Sequence, residues 1–282
     1  MKTLKYYLFR EQLIKKIRQF FLSQGFHEFI TPVLNDSIPL EPNIYPFETE
    51  WKTARGIKRF YLSTSPEKHL KKMLALGVNK CFSIGHSFRN LETSSPLHSP
   101  EFLMLEWYRK NADYKDIMID VEKLLSHFNV LKHYKRFSLV ELFKEYAKID
   151  VVSFLNDAKN RADYDKLFVN EIESRLPKDP LFIIDYPSII SPLCKPKKAN
   201  PLLAERFEFY WKGIELANGN TENTDYRSIL KFFKAEQSSR KAQTSPITPI
   251  DHDFLNSLKK MQNASYAGVG FGVDRLIMMF QK

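Results

Sequence analysis

Three stretches of this 282-residue chain carry reactive side chains at spacings that bring them onto shared faces. The first is FRNLETSSPLHSPEFLMLEWY, residues 88–108. Its end reads as a strand, in which Phe102, Met104, Glu106 and Tyr108 alternate with Leu103, Leu105 and Trp107. Successive side chains of a strand point to opposite faces, so the second set reads as core and the first set shares the other face. A flat ring there can stack on a heterocycle, and a carboxylate beside a phenol can hold an ammonium group. A half-exposed strand with a solvated Glu106 would show the same alternation.

The second stretch is YAGVGFGVDRLIMMF, where Gly268, Gly270 and Gly272 recur at every second residue. One strand face is thereby left bare, at an entropic cost, and a ligand or another backbone can approach it closely. The strand leads into a helix whose first turn carries Asp274 and Arg275, and an arginine held there can cover a base or reach a phosphate. Tight strand packing is the competing explanation. The spacing fits neither GxGxxG nor GxxxxGK[ST].

The third stretch, ERFEFYWKGIELANG, reads as a hairpin turning at Lys212-Gly213. Tyr210 then faces Glu215, with Glu208 diagonally placed on the same face. Two such carboxylates repel unless a cation lies between them. Mg²⁺ bound to a triphosphate meets that need, because it takes one or two carboxylates together with phosphate oxygens. Lysine or arginine counter-ions would meet it equally.

The elements that must position these residues follow from periodicity. Leu13, Ile17, Phe20 and Phe21 share one helical face ahead of Gly25. FHEFITPVL reads as a strand broken by Pro32. STSPEKHLKKMLAL reads as a helix with Ser65 at the N-cap and Pro66 at its first position. KCFSIGHSFRN reads as a strand. Residues 113–175 contain no glycine and read as mostly helical, LFIIDYP as a buried strand, and 225–241 as a polar helix. There is no repeat and no low-complexity linker, which predicts one domain over 1–282 with a helical insertion at about 113–175.

Composition narrows the class. A hydrophobic content of 43% supports a globular core, and no apolar run approaches the length of a membrane span. MKTLKYYLFREQL lacks the apolar region and cleavage site of a secretory signal, which predicts a cytoplasmic protein. Cys81 and Cys194 lie in no metal-ligand spacing and read as two buried free thiols. The net charge of +10 suits an anionic partner, although solvated lysines alone would give the same value.

Taken together, the three stretches resemble the signature motifs of class II aminoacyl-tRNA synthetases. FRN…HSPEFLMLEWY is similar to motif 2 and GVGFGVDRLIMMF to motif 3. The first helix with FITP is similar to motif 1, whose Pro32 lies at a dimer interface in that family. TSPEKHLKK, PEFLMLEWY and ERFEFYWKGIELANG resemble the lysine-type enzymes, and the likeness covers residues 5 to about 280. The subgroup most resembled is that of the elongation factor P–lysine ligases, which are lysyl-tRNA synthetase paralogues. The motif 1 helix begins within the first ten residues, so no anticodon-binding OB domain is expected before it. Leu91 displaces Glu92 by one position relative to the family's FRNE, and Asn220 stands where the family carries an aromatic residue.

The resemblance implies an α+β class II synthetase fold, an antiparallel β-sheet flanked by helices, and a homodimer. It implies use of ATP and Mg²⁺. Arg89 would bind the α-phosphate and the amino-acid carboxylate, His98 the distal phosphates, and Phe102 and Arg275 the two faces of adenine. Glu208 and Glu215 would hold Mg²⁺. Glu67 would bind the α-amine, Asn218 would orient the carboxylate, and Glu106, Tyr108 and Glu222 would hold the distal ammonium. Ser65 matches the ligases and Gly270 the α-lysine synthetases, so the two positions together bear on whether lysine or β-lysine is used. Three functions stay open: lysine transfer to elongation factor P, charging of tRNA or another small acceptor, and a non-catalytic regulatory paralogue.

Overall fold

In chain order the elements are α1 (Leu4–Ser23), β1 (His27–Glu28), β2 (Leu34–Asn35), β3 (Glu48–Thr53), β4 (Gly56–Leu62), α2 (Glu67–Ala75) and β5 (Lys80–Phe88). There follow β6 (Glu101–Lys110), α3 (Tyr114–His127), β7 (Lys135–Ser138), α4 (Leu139–Leu142), α5 (Val151–Phe154), α6 (Ala158–Leu167) and β8 (Leu181–Ile184). The last are β9 (Arg206–Trp211), β10 (Ile214–Thr221), α7 (Tyr226–Ala242), α8 (His252–Lys260), β11 (Tyr266–Gly272) and α9 (Val273–Phe280). This is a computed structural model that describes residues 3–92, 95, 97–130, 134–243 and 245–280. Residues 93, 94 and 96 of the motif 2 loop lie outside the described residues. The fold is α+β, with mostly antiparallel strands and flanking helices, as expected for a class II synthetase domain.

The chain divides into two compact units. The first comprises Met1–Lys110, Thr224–Ser265 and Gly270–Met278. Its main strands are β1, parallel to β5, and β6, antiparallel to β5. Its core forms where α1 meets that sheet. Leu13, Ile17, Phe20 and Phe21 are the buried face of α1, and Phe21 stacks on Phe82 at 5.0 Å and lies 4.9 Å from Trp107. Burying such rings removes large apolar areas from water and fixes how the helix sits on the strands. A small separate sheet has the order β2-β4-β3. The predicted strand FHEFITPVL forms ladder pairs only at 27–28 and 34–35. Between them Pro32 supplies no N–H for a ladder bond.

α2 begins at Glu67, and the Ser65 hydroxyl accepts from the Glu67 N–H at 3.2 Å. Pro66 has φ −68° and occupies the N-cap position, one residue earlier than its predicted place. Two lysines on α2 are buried, and each has a partner. Lys68 Nζ reaches Asp251 Oδ2 at 2.6 Å, at the start of α8, and the carbonyl of Ser37 at 2.9 Å. Lys71 pairs with Glu67 one turn back. These bonds anchor α2 and leave its Glu67 end fixed in position.

The second unit comprises Asn111–Asn223, Tyr266–Val269 and Met279–Lys282. Its strand order is β10-β9-β8-β7. The β9–β10 hairpin turns at Lys212-Gly213, both at positive φ (56° and 75°), as a two-residue turn matched to strand twist demands. Leu142, Phe143, Leu155, Ile172, Leu181 and Ile183 are among the residues of its core. The stretch predicted as mostly helical, 113–175, is interrupted by β7. Lys135–Ser138 pairs in parallel with β8, and Phe137 packs on that core, so burial of one ring selects an extended edge over another helical turn.

Candidate active site

The face of β6 singled out by alternation is buried. Glu106 is 4% and Tyr108 3% exposed, which removes the solvated-strand alternative. β5 completes this face, since Cys81 pairs with Tyr108, Ser83 with Glu106, Gly85 with Met104 and Ser87 with Phe102. Directly opposed residues of a strand pair share a face. The hydroxyls of Ser83 and Ser87 are buried with no hydrogen-bond partner among the described residues. Cys81 is a buried free thiol, as is Cys194, and burial with the neighbouring Glu106 charge pushes the Cys81 thiol up to about 12.

Carboxylates gather around Glu106. Its Oε1 accepts from the Tyr108 hydroxyl at 2.6 Å, whereas its Oε2 is buried without a partner among the described residues. Glu67 pairs with Lys71, whose ammonium lies 5.6 Å from the centre of the Tyr108 ring. Burial first, and the charge of Glu67 second, push the Glu106 carboxyl up to about 8, against the Tyr108 bond and Lys71. Glu41 joins them: burial and then Glu67 push its carboxyl up to about 7, against Arg89, Lys71 and Arg240. A buried acceptor with no donor is costly, and a cluster of carboxylates resists ionisation until a cation arrives. An ammonium group answers both conditions.

Arg89, Phe102, His98, Arg275 and Gly270 lie in the same unit. The Arg89 guanidinium sits over the Phe102 ring at 5.2 Å, and its Nη1 is 3.6 Å from Glu92 Oε1. Leu91, the residue that displaces Glu92, adopts φ 60°, and Asn90 Oδ1 accepts its N–H at 2.9 Å. The added residue is thus taken up by a left-handed turn that returns Glu92 to Arg89. His98 Nδ1 lies 2.7 Å from Ser95 Oγ, and its Nε2 lies 3.3 Å from Arg275 Nη2. Arginine only donates, so Nε2 is the bare nitrogen and Nδ1 carries the proton. Asp274 fixes the start of α9: its Oδ2 accepts from the Leu103 N–H at 2.6 Å, and Arg10 Nε is 3.9 Å from its Oδ1. A methyl built at Gly270 would meet only Met104, with Sδ at 3.5 Å, which places it beside the β6 site face.

The second unit holds Glu208, Glu215, Asn218 and Glu222. Glu215 pairs with Tyr210 across the hairpin, as the turn position predicts. A bulge between Glu215 and Ala217 then shifts the register, so Glu208 faces Asn218. Glu208 Oε1 accepts from Arg206 Nη2 at 2.6 Å and Asn218 Nδ2 at 3.2 Å, and Oε2 from the Tyr210 hydroxyl at 2.9 Å. Arg206 is therefore the counter-ion of Glu208. Glu208 and then Glu215 are, after burial, the charges that hold the Tyr210 phenol well above its usual range. Among the described residues no group of three acidic, histidine or cysteine side chains is placed to hold a metal alone. Two carboxylates on one hairpin face do fit Mg²⁺ whose remaining ligands are phosphate oxygens. Glu222 is buried, and its N–H donates to the carbonyl of Tyr266 at 2.8 Å.

Sequence reasoning did not single out Glu41 and Lys71 as members of the carboxylate cluster, and it left the β5 residues and the anchoring role of Asp274 unread. Glu41 lies in a Pro-flanked loop without periodicity, so no pattern marks it. The β5 face becomes legible only once its register with β6 is known.

Comparison with known proteins agrees with this geometry. Residues 2–282 match the family of tRNA synthetases class II (D, K and N). The elongation factor P--(R)-beta-lysine ligase of Salmonella arizonae is 35% identical, over 96% of this chain and 89% of the relative. The proteins of the same name from Photorhabdus laumondii and Yersinia enterocolitica are 34% and 35% identical over the same shares. A match along nearly the whole chain, with the motif residues on the faces just described, makes this protein a member of the class II tRNA synthetase family.

Proposed function

We propose that the protein is an ATP-dependent aminoacyl ligase that activates lysine or (R)-β-lysine and transfers it to a lysine of elongation factor P. The observation that carries this reading is the buried acceptor of Glu106, with Tyr108 on its other oxygen and Glu67 beside it. A neutral amino-acid side chain would leave that oxygen unpaired. An ammonium group donates to it and neutralises the cluster. The names of the relatives support the substrate and the acceptor.

The activation step needs no general base. The substrate carboxylate is already ionised at neutral pH and attacks the α-phosphorus of ATP, expelling pyrophosphate. Arg89 binds the α-phosphate and the carboxylate, which positions the two reactants and neutralises charge that builds up between them. Phe102 and Arg275 sandwich the adenine, and His98 is assigned to the distal phosphates. Glu67 holds one ammonium group and Glu106 with Tyr108 the other; the family resemblance assigns Asn218 to the carboxylate and Glu222 to the distal ammonium. Glu208 and Glu215 would hold Mg²⁺, which would supply charge neutralisation of the phosphates. In the second half-reaction the neutral acceptor amine attacks the acyl carbon, the bond from that carbon to the phosphate oxygen breaks, AMP leaves with the electron pair, and the amine's proton passes to solvent.

ATP–pyrophosphate exchange across a panel of amino acids tests the first half, and labelled transfer to purified elongation factor P or to tRNA tests the second. Exchange with lysine or β-lysine, its loss in Arg89→Ala, and labelling of elongation factor P are the expected results. Labelling of tRNA alone would favour the tRNA-charging reading, and absence of exchange with every amino acid the regulatory one. We further propose that the protein acts as a homodimer, on the motif 1 surface considered below.

A further inference from the structure

Both oxygens of Glu208, one of the two carboxylates assigned to Mg²⁺, are already engaged. Arg206 Nη2 at 2.6 Å and Asn218 Nδ2 at 3.2 Å donate to Oε1, and the Tyr210 hydroxyl donates to Oε2 at 2.9 Å. An ionised carboxylate offers about four lone-pair sites, so these donors leave one, on Oε2.

The charged donor is itself held fast. Arg206 Nε donates to Asn218 Oδ1 at 3.2 Å, and Nη1 donates to the Ser191 hydroxyl at 3.1 Å and the Ile190 carbonyl at 3.4 Å. Its guanidinium lies 4.4 Å over the ring of Tyr186, which is buried. A rigid planar fork with every nitrogen engaged does not follow Glu208 when the carboxylate turns. The same fork orients the Asn218 amide, whose oxygen faces Arg206 and whose nitrogen faces Glu208. Arg206 precedes Glu208 by two residues on β9 and so shares its strand face, and Asn218 lies opposite Glu208 on β10. Two strands and the segment after β8, all within the second unit, therefore set the cluster.

This arrangement opposes capture of a bare cation. The guanidinium cancels one of the two carboxylate charges that would draw a cation to the hairpin, and a free ion gains more than one bond to Glu208 only by displacing donors. Mg²⁺ that arrives with ATP brings phosphate oxygens as ligands and needs only one or two carboxylates.

We propose that Arg206, with Tyr210, is a positioning clamp that keeps Glu208 too weak a ligand for a free divalent ion, so that the hairpin accepts Mg²⁺ only as its complex with a triphosphate. This rests on the ligase reading above, and gives a role in it to two residues outside the assigned Mg²⁺ pair.

The test titrates the full-length protein, Arg206→Gln and Tyr210→Phe with Mn²⁺, a paramagnetic stand-in for Mg²⁺, with and without a non-hydrolysable ATP analogue, and reads bound metal by electron paramagnetic resonance. The free unsubstituted protein should bind Mn²⁺ at least about 10-fold more weakly than its complex with the analogue. Arg206→Gln should bind the free ion about 10–100-fold more tightly than the unsubstituted protein, the scale of a lost bond to a charged group. Mn²⁺ alone should then raise the melting temperature of that variant. Structural damage alone would weaken metal binding rather than strengthen it. Tyr210→Phe frees an acceptor site on Oε2 and keeps the ring; it should gain about 2–10-fold, and it carries the test if Arg206→Gln fails to fold by circular dichroism. Adding Glu208→Gln to either variant should abolish the gain. Unchanged free-ion affinity in the folded variants overturns the proposal, as does equal affinity of the unsubstituted protein with and without the analogue. If the analogue recruits Mn²⁺ to no form of the protein, the Mg²⁺ assignment within the ligase reading fails and takes this inference with it; recruitment by the analogue with no gain in the variants defeats this inference alone.

Discussion

The Tyr108 hydroxyl donates to one oxygen of Glu106 at 2.6 Å, and the other oxygen is buried without a partner among the described residues. In the proposed function the pair forms half of an ammonium site, with geometry set by the strand: i and i+2 share a face. Glu106→Gln keeps the shape and removes the charge. We expect it to raise the KM for lysine by about 1.5–3 kcal/mol, roughly 10- to 150-fold, the range for hydrogen bonds to charged groups. The KM for ATP should change little. Equal effects on both substrates in steady-state exchange assays would place Glu106 outside the ammonium site.

The raised carboxyls make stability depend on pH in a defined direction. Glu106 is pushed up to about 8 and Glu41 to about 7, both above the ordinary carboxyl value of 4.5. The folded state then binds protons that the unfolded state has released, so these groups favour folding fully below about pH 4.5 and lose that contribution as pH rises toward 7–8. The free protein should melt at a lower temperature at pH 8.5 than at pH 6, through these two groups. A substrate ammonium favours the ionised carboxylates, so lysine binding should release protons near pH 7. Calorimetry in two buffers of different ionisation enthalpy measures that release; uptake of protons would reverse the assignment.

Much of the site could be read from local pattern, and the rest depends on pairings that pattern does not encode. Alternation placed Glu106 and Tyr108 on one face, and Lys212-Gly213 placed Glu215 opposite Tyr210, because both follow from a strict period and a turn type. The Glu208–Asn218 pairing escaped because a bulge moves the register by one residue. β3, β4 and α8 were not read at all. Residues 48–62 carry polar side chains on both faces, and α8 is a nine-residue helix between two loops, too short for periodicity to decide. Glu41 escaped because an arginine 199 residues away holds its turn.

Gly219 is a position where a side chain has no room. A Cβ there would lie 2.6 Å from Phe207 Cζ and 2.9 Å from the carbonyl oxygen of Gly268. Both neighbours belong to the second unit's packed interior, and the carbonyl cannot retreat without its strand. Gly219→Ala should destabilise by about 1–3 kcal/mol, the usual cost of overpacking. Urea denaturation checks this, and an unchanged midpoint would show that the β9–β10 hairpin yields more readily than its contacts indicate.

Ile30 is 97% exposed, and Leu4 and Leu8 on α1 and Leu34 on β2 are half exposed or more. Exposed apolar side chains along the motif 1 stretch suit a self-complementary interface. Light scattering at micromolar concentration should give a dimer, and Ile30→Glu should shift it toward monomer without loss of circular dichroism. A monomer in the unsubstituted protein would leave those side chains unexplained by self-association.

The isomer of lysine that is activated turns on Gly270. In the β-lysine-using ligases that this chain resembles, motif 3 carries alanine at this position, and the SPE serine replaces an alanine of the α-lysine synthetases. Ser65 follows the first group and Gly270 the second. A Cβ at 270 would touch only Met104, at ordinary contact distances of 3.5 and 3.9 Å, so Gly270→Ala should fold as the unsubstituted protein does. Its methyl would stand beside the face that carries Phe102, Met104 and Glu106, where the substrate's carbon chain is proposed to lie. With glycine, that space accommodates the α-amine. We therefore expect α-lysine to be activated at least as well as (R)-β-lysine, and Gly270→Ala to shift preference toward the β isomer. One methyl in a pocket discriminates by about 1–3 kcal/mol, so the shift should be roughly 10–200-fold. Parallel exchange assays with the two isomers decide the matter. A strong β preference in the unsubstituted protein would assign control of the pocket to Ser65, whose hydroxyl caps the helix that bears Glu67.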